Sequence, residues 1–136
     1  MTIGSWEPPT SDKDAPYQFD REFLRSAIAL SRADHLDDMA NRLPAAQCQQ
    51  QKSLMQQSRQ TWTAEAENYS DEELLELVRF FTAAEMKLSD WEAGASSPVV
   101  WLVKVLRKRG VPPSRELLLW IRENSNNRFL PNGALL

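Results

Sequence analysis

The sequence predicts an all-α fold, an irregular bundle of about five helices between a mobile N-terminal lead and an irregular C-terminal tail. Three observations carry this. Apolar residues recur at three- and four-residue steps along most of the chain. Helix-start signals stand at Ser70, Ser97 and Ser114. No stretch alternates apolar and polar residues as a half-buried strand would.

The chain has 136 residues, which fits one domain, and 42% of them are hydrophobic. Five Trp, five Phe and two Tyr give that domain large rings to bury. The reading is a lead over 1–16 and a single helical domain over 17–136. Pro8, Pro9 and Pro16 lie in the lead among Ser, Thr and Asp, with Trp6 its single aromatic anchor.

The first helix is expected from about Tyr17 or Gln18. Phe19, Phe23, Leu24, Ala27 and Ile28 share one face of it. Leu36, Met39, Ala40 and Leu43 repeat the spacing, and Asp34 between the two sets is read as an N-cap. Residues 17–43 are therefore one kinked helix or two, ended by Pro44. A Gln-rich run over 45–68 contains neither Gly nor Pro and reads as one long helix on the rim of the core. Its stripe is narrow, with Cys48, Met55, Trp62 and Tyr69 at steps of seven.

Ser70 and Glu73 form a capping box, with Tyr69 and Leu74 placed as a hydrophobic staple. Leu74, Leu77, Val78, Phe81, Ala84 and Leu88 then make a broad core stripe. Ser97 before Pro98 opens a helix over 98–109 that is apolar nearly all round, and it is expected at the centre of the bundle. Gly110 suits a left-handed exit, Pro112 and Pro113 a rigid turn, and Ser114 the cap of a last helix. The end from Asn127 to Gly133 reads as a patterned segment, and the tail over 129–136 is expected to fold its apolar residues back onto the domain.

Several chemistries lack their residues. One Cys and one His leave no zinc set and no internal disulfide. The four glycines are not spaced as a phosphate loop. His35 stands beside Asp34, Asp37 and Asp38 without a nucleophile motif, so it reads as an ordinary helix-end histidine. Cys48 reads as a packing residue, and Asp71, Glu72, Glu73 and Glu76 as helix-start charges. The expectation is a chain without cofactor, metal or catalytic role. No secretion signal or spanning segment is read in it, so a reducing cytoplasm is the expected compartment.

The net charge is −3, but the charge is segregated along the chain. Residues 65–92 hold nine acidic and two basic side chains, and residues 104–128 hold seven basic and two acidic. Either the two segments lie side by side and neutralise each other, or the basic one faces an anionic partner. The function expected is that of a small interaction protein, an adaptor or regulator working through a helical surface. Its partner is another protein, with a second copy of the chain one candidate. Phe80, Trp91, Leu119 and Trp120 lie off the core stripes and are the expected partner patch. The alternative is a nucleic-acid-binding regulator, in which the helices either side of Gly110 resemble a helix-turn-helix. Lys104, Arg107, Lys108, Arg109 and Arg115 would then hold phosphates.

Overall fold

Helix formation begins one turn later than the periodicity alone places it, because a side chain fixes the start. In the computed structural model, which describes residues 17–133, the Asp20 carboxylate accepts from the Phe23 N–H and caps α1, Arg21–Arg32. Asp34 ends that helix instead of starting another. It sits at φ 63°, with the Asp34 N–H donating to Ser31 O and the His35 N–H to Leu30 O. Residues 17–43 are thus two helices, α1 and the short α2, Met39–Arg42, joined by a 3₁₀ turn at Leu36–Asp38.

The Gln-rich run is not one helix. It divides into α3, Ala45–Gln51, a 3₁₀ stretch at Lys52–Gln56, and α4, Arg59–Ala66, which Ser58 caps. The reason lies in its seven-residue stripe. Cys48, Met55, Trp62 and Tyr69 are all buried, and the chain bends so that each meets the core. The Trp62 indole N–H then donates to Leu54 O across that bend, at 3.1 Å.

α5, Asp71–Lys87, opens on the capping box between Ser70 and Glu73 as expected. α6, Pro98–Lys108, starts at the Ser97 cap and leaves through Gly110, whose φ of 83° no branched residue adopts without strain. Its closing bond runs from the Val111 N–H to Leu106 O. α7, Arg115–Asn124, is capped by Ser114. There are seven α-helices among the described residues, against about five expected, and no strand.

The centre of the bundle is α5, and the expectation that helix 98–109 would hold it is corrected. α1, α6 and α7 all pack on α5, and α4 packs on α6. Nine side chains of α5 are buried, from Leu74 to Glu85, so its hidden surface runs round most of the helix. That is why Phe80, off the main stripe, is still inside.

Burying most of the circumference of α5 also buries Glu85, and the surrounding chain folds to satisfy it. Its carboxylate accepts from the Ala93 N–H, the Ser97 hydroxyl at 2.7 Å and the Asn127 amide at 3.0 Å. The same Asn127 amide donates to Gly94 O, and its side-chain oxygen accepts from the Phe129 N–H. The C-terminal segment therefore folds back as expected as far as Gly133, with Leu130 and Pro131 buried. The lead over 1–16, with Trp6, and residues 134–136 lie outside the described residues.

Removing one donor from a buried carboxylate leaves part of its charge unsatisfied. Asn127→Ala is expected to lower unfolding free energy by about 1–3 kcal/mol in urea titrations. Asn126→Ala, at an exposed neighbour, should stay within about 0.5 kcal/mol of wild type. Equal effects at the two positions would remove the network from its keystone role.

Candidate functional site

Among the described residues a single ion pair joins the two oppositely charged segments. The acidic segment is neutralised chiefly by the arginines of α1. Arg21 holds Glu65 through two bonds of 3.0 Å, Arg25 reaches Glu73 at 3.3 Å, and Arg32 pairs with Glu72. Glu65 is buried and also accepts from the Tyr69 hydroxyl at 2.9 Å. The cation of the basic segment in that pair is Arg109. It pairs with Asp71 at 3.0 Å and donates to the carbonyls of Ala66 and Tyr69, so it fastens the end of α6 to the end of α4.

These pairings set the local acid–base behaviour. Hydrogen bonds from Arg32 hold the Glu72 carboxyl below its ordinary 4.5, and the Ser70 backbone N–H does the same for Glu73. Asn41 lowers Asp38. Burial pushes the Tyr69 phenol up, with the Glu65 hydrogen bond acting in the same direction. Burial also raises the Cys48 thiol, which keeps it protonated.

The remaining cations of the basic segment lack carboxylate partners among the described residues. Lys104, Lys108 and Arg115 are exposed, and Arg107 donates to the Asn132 side chain at 2.8 Å. Two of them are gathered with a cation from elsewhere. α4 presents the small side chains Thr63 and Ala64 toward α6, and Val105 of α6 is only half-buried there. The result is a groove of about 480 Å³ lined by Arg59, Ala64 and Glu67 of α4 with Lys104, Val105 and Lys108 of α6. A smaller hollow of about 300 Å³ continues it past Thr63 to Arg109.

The expected cationic set is thereby divided. Lys104 and Lys108 line the groove, and Arg109 at its end is tied into the fold. Arg107 points to the C-terminal segment, and Arg115 stands on α7. Arg59 was missed by sequence reasoning, since it stands 45 positions before Lys104 in a polar run. Only the packing of α4 on α6 joins them.

The expected apolar patch does not form as a set. Phe80 and Trp91 are both 0% exposed and belong to the core, where their rings meet edge-on at 6.2 Å. The Trp91 indole donates to Cys48 O and so ties the segment after α5 to α3. Leu119 remains 50% exposed, and Trp120 is half-buried beneath the Arg79 guanidinium, 5.6 Å from its ring centre. His35 closes α1 and lines a separate cleft of about 410 Å³ with Ser26 and Arg42.

Among the described residues no three His, Cys, Asp or Glu side chains converge as a metal-ligand set. No helix among them is long and apolar enough to cross a membrane. No family model matches the chain, and no curated protein or solved structure matches it.

Two expectations follow from the charge layout. Arg109→Ala should cost about 1–3 kcal/mol in thermal or urea unfolding, because it strips partners from two carbonyls and a carboxylate. Lys108→Ala, one position away, should change stability by no more than about 0.5 kcal/mol. Acid should also weaken the fold in a defined window. The Glu72 and Glu73 carboxyls are depressed in the folded state, so their contribution is present above pH 4.5 and is lost as pH falls through and below that value. Glu73→Gln should flatten the acid limb of a stability–pH curve, and an unchanged limb would refute the assignment.

Proposed function

We propose that this chain is a non-enzymatic interaction protein, an adaptor or regulator, that receives an anionic partner on the cationic face shared by α4 and α6. The observation that carries this reading is the uneven use of charge. Arg21, Arg25, Arg32 and Arg42 of the N-terminal helices each have a carboxylate partner, whereas Arg59, Lys104 and Lys108 have none among the described residues. Three cations gathered along a groove with Glu67 as the one carboxylate lining it leave a positive excess, which raises the local concentration of anions. The lone Cys48 suits a reducing compartment, and a cytoplasmic setting is part of the proposal.

Nucleic acid is the second reading, favoured by the basic run on α6 followed across a turn by α7. Weighing against it is the outward face of α7, where Glu116, Leu119 and Glu123 stand among Arg115 and Arg122. A recognition helix needs polar and basic groups there.

Chromatography on a sulfated-polysaccharide resin tests the proposal. The wild-type chain is expected to be retained at low salt despite its net negative charge. Lys104→Glu with Lys108→Glu should abolish retention, and Arg115→Glu with Arg122→Glu should leave most of it. Retention lost equally in both double variants, or absent from the start, would defeat the reading.

A further inference from the structure

We infer that the groove between α4 and α6 is a docking site for a short acidic peptide segment that seats one apolar side chain between its carboxylates. This rests on the anionic-partner reading and narrows it to one chemistry. The argument is the combination of rim and floor. Lys104 and Lys108 lie one helical turn apart on α6 with Val105 between them, and Arg59 stands on the α4 side. Exposed Ala64 and half-buried Val105 give the space between these cations a partly apolar floor, shared with Gln60 and Thr63.

A phosphate backbone uses cations and leaves such a floor unfilled. A peptide uses both, because its side chains project at short intervals from one strand or one helix turn. The space of about 480 Å³ holds a few side chains and no folded domain. Charge also gives the groove a direction. The ends of α4 and α6 meet where Arg109 binds Ala66 O, and Glu67 lies at that end, so the excess positive charge lies toward Arg59 and Lys104. The carboxylates of the partner belong at the Arg59 end, and Glu67 works against them.

Fluorescence anisotropy on the full chain tests this with a dye-labelled peptide of about ten residues, carrying four Glu around a central Leu. Saturable binding is expected at about 50 mM salt, weakening as salt rises. Lys104→Glu with Lys108→Glu, or Glu→Gln throughout the peptide, should each weaken it by about tenfold or more. Leu→Ser in the peptide should weaken it several-fold, and Glu67→Gln in the protein should strengthen it. These protein positions are exposed, and circular dichroism of each variant confirms the fold before binding is read. Equal binding of the Glu and Gln peptides, or of the Leu and Ser peptides, overturns the inference. So does tighter binding of a duplex oligonucleotide through the same lysines, an outcome that leaves the anionic-partner reading standing. Self-association that the double lysine variant abolishes, with no peptide bound, gives the groove to a second copy and likewise overturns it. If no anionic probe of any kind binds, both readings fall together.

Discussion

The rest of the structure depends on the burial of α5 on nearly every side. An amphipathic helix needs one neighbour, but a helix whose apolar surface runs round most of its circumference must be surrounded. α1, α6 and α7 do this, and each takes its place from α5. The constraint extends to polar groups. Thr82, fully buried, donates back to Val78 O within its own helix. Glu85 has no such local solution, so Ala93, Ser97 and Asn127 are brought to it from two separate segments. The loop after α5 and the C-terminal segment are shaped by one carboxylate that cannot reach water.

The distribution of charge follows from the same arrangement. α1 lies along α5, and its arginines meet the carboxylates at and just before the start of α5. Those carboxylates are held by α1, while the lysines of α6 line the groove against α4. The exposed pairs are worth little to stability individually. Their larger effect is to decide which cations stay free.

Much of the C-terminal half was legible in the sequence because its signals are local. The capping box at Ser70, the Ser97–Pro98 start, the Gly110 exit and the Ser114 cap each act within one turn, and the structure holds all four. The N-terminal half misled for the converse reason. Asp34 is both a good N-cap and a residue that tolerates a left-handed backbone, and only tertiary context selects the second role. The Gln-rich run has helix-forming residues throughout, yet the need to bury Trp62 and Met55 together bends it. Phe80 and Trp91 were placed outside by a stripe argument that assumes one buried face. The groove was half legible. Lys104 and Lys108 stood out as a basic run, but Arg59 and the floor at Ala64 come from the packing of two distant helices.

On the anionic-partner reading, a groove this short favours a short ligand. The attraction of Arg59, Lys104 and Lys108 is screened within about 8 Å at physiological salt. An extended polyanion such as a duplex would carry most of its charges beyond that reach. A short acidic segment would keep its carboxylates beside the three cations, with its apolar side chain over Val105. What favours the short ligand is therefore the layout of the groove, where two lysines one turn apart on α6 are gathered with Arg59 of α4, and not the net charge of the whole chain.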